Sequence, residues 1–172
     1  QSLDVSADLT ALATTPTCVV ASGAKSILDL PATVEALETI GVPVLGLKTP
    51  NFPRFIELHT KDDPHIISVQ SESEIAAVCD VHWNQLQMPS AVLANIPVPE
   101  SEGMPQQSVQ THVSDAETAW NTMDKHPSTR TPFVLDYLTV KTNGASLRAN
   151  IALLIQNATK AASIAIAISS EM

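Results

Sequence analysis

The sequence predicts an α/β fold: an αβα-layered sheet of mostly parallel strands with a helical C-terminal part. Three observations carry this expectation. Short unbroken apolar runs at Thr17 to Ser22, Val42 to Leu47 and Ala91 to Ile96 have the character of strands covered on both faces. Segments with helical spacing separate them, as in βαβ units. Beyond about residue 113 the pattern is mainly helical.

Taken in order, Asp4 or Ser6 suits the cap of a short helix through Leu9 and Leu12. The strand at Thr17 to Ser22 follows. Pro31 suits the first turn of a helix carrying Val34, Leu37 and Ile40, and Gly41 suits the position just past its end. Val42 to Leu47 is the next strand, which completes a βαβ unit. Residues 50–64 are Pro-rich and irregular, and Ile66 to Val69 is a short strand. Ser71 and Glu74 form a capping-box pattern for a helix through Ile75, Val78 and Trp83. Pro97 and Pro99 end the strand from Ala91 to Ile96. The acidic, polar residues 99–118 read as a long loop. Helices are expected around Val113 to Lys125, from Pro132 to about Lys141, and from Ser146 to near the C-terminus. The last carries Leu147, Ile151, Leu154, Ala158, Ala161, Ala165 and Ile168 at helical spacing.

Composition narrows the function classes. The 172 residues, read as one domain, suffice for a real core, and 44% hydrophobic against 16% charged residues is a globular balance. A net charge of −9 gives no electrostatic footprint for nucleic acid polymers or anionic membranes. Hydropathy predicts no bilayer-spanning stretch. Cys18 and Cys79 lie in apolar segments without metal-type spacing, which predicts reduced core thiols in an intracellular, cytoplasmic protein. The five histidines show no metal spacing. No G-x-S-x-G, P-loop or dinucleotide fingerprint occurs, and the five glycines are scattered. Trp83 and Trp120 read as core or interface anchors. The chain opens on Gln1 and enters helical spacing at once, which predicts a fragment or a processed chain.

Three constellations could carry chemistry. Lys25 follows an apolar strand and Gly23, where ligands bind in open α/β sheets. A partly desolvated lysine there can lose its proton near neutrality and attack a carbonyl. The same position also suits a lysine that merely extends past a strand end into solvent. Asp4-Val5-Ser6-Ala7-Asp8 places two carboxylates and a hydroxyl at a helix N-terminus, fit for ordinary capping or for a hard divalent cation that keeps its waters. Asn150 lies one turn into the last helix, where a buried amide needs a ligand or backbone partner.

In this order the pieces resemble the pseudouridine-5′-phosphate glycosidase, or indigoidine-synthase-A-like, family. The resemblance rests on Leu3 to Leu9 (Leu-Asp-Val-Ser-Ala-Asp-Leu) followed by Gly23-Ala24-Lys25-Ser26-Ile27-Leu28-Asp29. It continues through Glu35 to Val44, Ala94-Asn95, Pro97 to Glu100, Thr131-Pro132-Phe133 and Ser146 to Ile151. The resemblance implies reversible cleavage of the C–C glycosidic bond of pseudouridine 5′-phosphate to uracil and ribose 5-phosphate. It implies that Lys25 is the imine-forming nucleophile and that Asp4 holds Mn2+. Ser6, Ala7, Asp8 and Asn150 become substrate-contacting residues, and the complete protein becomes a homotrimer. The family's general-acid glutamate, second substrate lysine and Gly-rich phosphate loop precede the aspartate motif and have no counterpart here. The chain therefore resembles the C-terminal portion of the family domain, and by itself it is expected to be inactive or very slow. Pro89-Ser90 replaces a glycine pair, and Ser101 to Gln110 diverges. Two other readings remain open: a non-catalytic remnant or assembly subunit of this fold, and a sugar-phosphate binder that forms no imine.

Overall fold

The structure is a computed structural model that describes residues 7–25, 28–123, 126 and 129–171. Helix α1 (Ala7–Thr14) leads into strand β1 (Cys18–Ala21), followed by α2 (Leu30–Thr39) and β2 (Val44–Leu47). Strand β3 (Ile67–Val69) precedes α3 (Glu72–Asp80), one π-helical turn (Val81–Gln85) and β4 (Val92–Asn95). The remainder is helical: α4 (Gln106–Asn121), α5 (Arg130–Lys141) and α6 (Ala145–Glu171).

The four strands form one parallel sheet in the order β1-β4-β2-β3. Strands β4 and β2 are central and wholly buried, whereas β1 is half-buried at an edge. Alternation along each strand explains the layers. Val19, Ala21, Val44 and Leu93 face α1 and α2, where Leu30, Val34 and Leu37 pack. Cys18, Val20, Leu45, Leu47, Val92 and Ala94 face the other way, onto α3 and the C-terminal half of α6. The α/β reading with a layered parallel sheet therefore holds. The first crossover is not between neighbours, because β4 inserts between β1 and β2.

Local signals set the helix ends at several points. Asp29 caps α2, its carboxylate accepting from Ala32 N at 3.1 Å, and Gly41 follows the helix at φ +74°. Ser71 Oγ accepts from Glu74 N at 3.2 Å, but the Glu74 carboxylate takes Gln70 N at 2.9 Å, one residue earlier than a capping box requires. Trp83 donates to Ser90 O at 2.9 Å, and Trp120 is buried against Phe133, ring centroids 5.4 Å apart. Cys18 and Cys79 are free thiols at one core. A hydrogen bond with Cys79 holds the Cys18 thiol below its ordinary pKa, against the opposing effect of burial.

Two expectations are corrected. Most of residues 99–118 is not loop, since α4 begins at Gln106 behind Pro105. Its apolar residues Val109, Val113, Ala116 and Trp120 are few, but all fall on one stripe, and a polar face hides such a helix from composition. Helix α6 is also long and apolar enough, over Ala145–Ser170, to cross a bilayer by length and composition, and little of it is buried. Alanines and aliphatic residues dominate it, and Arg148 and Lys160 are its only charges over that stretch. Here it lies along the domain, with Ile164 in the sheet core and Lys160 Nζ 2.7 Å from the Glu72 carboxylate of α3.

A second core joins α4, α5 and the N-terminal half of α6 through Val109, Ala116, Val134, Leu138, Ala149 and Leu153. Ile56, from the segment between β2 and β3, completes it. Helix α6 thus spans both cores.

Candidate active site at the carboxyl end of the sheet

Lys25 lies just past β1, on the loop that leads to α2. Its described residues Ser22 to Lys25 make backbone hydrogen bonds or close backbone contacts. Ser22 is buried, its carbonyl accepting from Phe55 N at 2.9 Å and its hydroxyl meeting Asn157 Oδ1 of α6 at 3.2 Å. Gly23 sits at φ +70°, and a Cβ there would run into the Pro53 carbonyl. Only glycine allows this approach. Ala24 N donates to the same Pro53 carbonyl at 3.3 Å, and Lys25 O accepts from Leu28 N at 2.9 Å.

Lys25 lines a small apolar hollow with Phe55, Ile56, Val113, Thr131, Val134 and Leu138. The hollow forms where the sheet end meets the helical core. Lys25 is nonetheless exposed, which corrects the expectation of a partly desolvated amine. The wall covers one side of the side chain, and the other side opens to water. Among the described residues it makes no ion pair, so its side-chain nitrogen is open to an incoming group.

The aspartate motif is only partly described. Asp4 and Ser6 lie outside the described residues, whereas Ala7 opens α1 and Asp8 is an exposed carboxylate in its first turn. Leu12 O accepts from Ala91 N beside the start of β4. The C-terminal end of α1 is therefore at the amino end of the sheet. Among the described residues no group of three or more His, Cys, Asp or Glu could hold a metal ion. Asp8 is the one motif carboxylate among the described residues.

Asn150 is half-buried in the second turn of α6, and its side-chain amide makes no hydrogen bond to a described residue. Its neighbour Ala149 is in the helical core. Asn157 is seven residues on and so shares its face of the helix. Since Asn157 touches Ser22, that face is directed at the end of β1. The sequence reading missed Ser22, Asn157, Pro53 and Phe55. The i, i+7 pair of asparagines in an otherwise apolar helix is a signal that could have found Asn157. Asn95 ends β4 at the same edge, fully buried, with Nδ2 donating to Leu45 O at 3.1 Å and Oδ1 unpaired among the described residues.

A parallel sheet with a lysine on a β-to-α loop, flanked by amides and an apolar wall, defines an α/β protein with an open site at its carboxyl edge. Residues 1–167 match the family pattern of indigoidine synthase A like proteins. The chain belongs to this family. It is 41% identical to the pseudouridine-5′-phosphate glycosidase of Symbiobacterium thermophilum, over 98% of this chain and 54% of that one. It is 38% identical to the protein of that name in Deinococcus radiodurans, over 96% and 52%. Among solved structures, an indigoidine synthase A-like protein of Thermotoga maritima superposes with TM-score 0.84 at 29% identity, covering 99% of this chain and 55% of that one. The prealnumycin C-glycosynthase AlnA, solved with ribulose 5-phosphate, gives TM-score 0.88 at 28% identity, covering 99% and 55%. The chain spans about half the length of these relatives.

Proposed function

We propose that this chain carries the imine-forming part of an enzyme that reversibly cleaves the C–C glycosidic bond of pseudouridine 5′-phosphate. The products are uracil and ribose 5-phosphate. The observation that carries the reading is Lys25, held by backbone at the carboxyl end of a parallel sheet with its amine unpaired among the described residues. The names of the curated relatives and the sugar phosphate bound to the C-glycosynthase supply the substrate class.

A C–C bond to a pyrimidine offers no heteroatom leaving group, so oxocarbenium chemistry is hard. An amine provides another route. The neutral Lys25 Nζ forms a bond to C1′ as the ring C1′–O4′ bond opens, and O4′ takes a proton. The nitrogen lone pair then forms the C=N bond as C1′–C5 breaks. That electron pair goes to C5 of uracil, which gains a proton. Water hydrolyses the imine to the aldehyde of ribose 5-phosphate and returns the lysine. Ser6, together with Ala7 and Asp8 of α1 and Asn150 of α6, is assigned to the sugar phosphate. Asp4 is assigned to Mn2+, which would supply charge neutralisation close to the phosphate. The proposal places the reaction in the cytoplasm, in nucleobase catabolism, with the complete protein a homotrimer.

The general-acid glutamate that the family resemblance implies has no counterpart in this sequence, and proton transfer and positioning each contribute orders of magnitude. The 172-residue chain is therefore expected to turn over pseudouridine 5′-phosphate at background rate. Incubation with ribose 5-phosphate and cyanoborohydride should leave a mass adduct on Lys25. An adduct confined to another lysine removes Lys25 from the role. Saturable binding of ribose 5-phosphate without any adduct favours the sugar-phosphate binder instead.

A further inference from the structure

We propose that the ion pair of Arg54 and Asp63 is a positioning clamp for Lys25. The segment from Asn51 to Leu58 is irregular, yet it supplies both the backbone that holds the Lys25 loop and one wall beside the lysine. Arg54 stands between the two residues that do this. Pro53 O accepts from Ala24 N at 3.3 Å, Phe55 N donates to Ser22 O at 2.9 Å, and Arg54 itself bridges to Gly23. The Phe55 and Ile56 side chains then line the Lys25 hollow.

Such a segment needs an external anchor, and Phe55 makes the need acute. Its φ of +60° is a conformation that a bulky L-residue holds only when its surroundings impose it. The anchor is Asp63. Its side chain is wholly buried, and its carboxylate accepts from Arg54 Nε and, at 2.7 Å, from Thr60 N. Asn51 Nδ2 donates to the Asp63 carbonyl at 3.2 Å, and Phe52 N to Pro64 O at 2.8 Å. On its far side the segment is tied to Met104 by hydrogen bonds of Ile56 and Leu58, each 2.9 Å. Arg54 therefore links the buried carboxylate by charge to the two residues that touch the Lys25 loop. A buried ion pair is weak evidence for stability, since apolar replacement is often neutral, but it restricts geometry. Here the geometry it restricts is the approach of Phe55 and Pro53 to Lys25.

The proposal rests on Lys25 as the reactive amine, and the experiment separates the two claims. Arg54→Ala, Arg54→Lys and Asp63→Asn would be compared with the wild-type chain in two measurements. The first is amide exchange at Ala24 and Phe55, referenced to Leu93 in β4. The second is trapping of ribose 5-phosphate on Lys25 by cyanoborohydride. Arg54→Ala should speed exchange at Ala24 and Phe55 by about tenfold or more with Leu93 unchanged. It should slow trapping by about 100-fold, and Arg54→Lys should recover much of both. Exchange at Ala24 and Phe55 that moves no more than Leu93 overturns the clamp, as does selective exchange with wild-type trapping. If Arg54→Ala does not fold, Asp63→Asn carries the same two comparisons. No adduct in the wild type overturns the imine reading, while the exchange comparison still decides whether Arg54 fixes the loop.

Discussion

The sheet and the long helix α6 bury apolar surface in opposite ways. Strands β2 and β4 are covered on both faces, so every residue in them is inside. Helix α6 buries Ala149, Leu153 and Ile164 on one stripe, while Ile151, Leu154, Ile155 and Ile166 stay about half exposed or more. The strand's period of two distributes its side chains between two layers. The helix offers its full circumference, and neighbours meet only part of it. The lesson is that hydrophobicity along the chain does not rank burial. Leu45 and Ile155 are similar residues, but the first is 1% exposed and the second 64%.

The contrast can be broken by substitution. Leu45→Ala removes a fully buried side chain from the core between β2, α3 and α6 and should cost about 2–5 kcal/mol in urea unfolding. Ile155→Ala should stay within about 0.5 kcal/mol. Equal losses would mean that the exposed flank of α6 is covered in solution. The next effect lies at the junction of the two regions. Gly23→Ala forces a Cβ against the Pro53 carbonyl at positive φ. It should destabilise by more than about 1 kcal/mol and weaken Lys25 trapping together with stability.

Ser71→Ala removes the side-chain cap of α3, the helix that α6 packs on. The expected loss is about 1 kcal/mol in thermal or urea unfolding. The smallest effect is the Glu72–Lys160 contact between α3 and α6, partly exposed and worth less than about 1 kcal/mol. The hydrogen bond from Lys160 is the main reason that the Glu72 carboxyl is held below its ordinary pKa. A depressed folded-state value means that the unfolded chain binds the proton more readily. The contribution is thus present above the ordinary carboxylate pKa and lost as pH falls through the folded value. Glu72→Gln should flatten that part of the stability profile, with the loss, under about 1 kcal/mol, seen at neutral pH and absent below the folded value. A profile identical to wild type would show that the contact contributes nothing.

Elements with strong local chemistry were legible before any coordinates. The apolar runs located β1, β2 and β4, Pro31 and Gly41 bracketed α2, and Ser71 located the start of α3. Helix α4 was partly missed because its stripe is narrow in a polar sequence. Lys25 was legible from its place after a strand and from its neighbours in the chain. Its surroundings were not, since Asn157 lies 135 residues beyond Ser22. Arg54 and Asp63 were likewise invisible, because irregular backbone carries no periodic signal.

Residue order alone determined the α/β class, the family resemblance and the lysine at a strand end. These depend on local propensity and period, which are properties of neighbours in the chain. Tertiary structure decided that β4 inserts between β1 and β2 and that Lys25 faces solvent on one side. It also decided that Ser22, Phe55 and Asn157 surround the lysine's loop. Those outcomes depend on contacts between distant segments, and short-range pattern does not encode which distant surfaces meet.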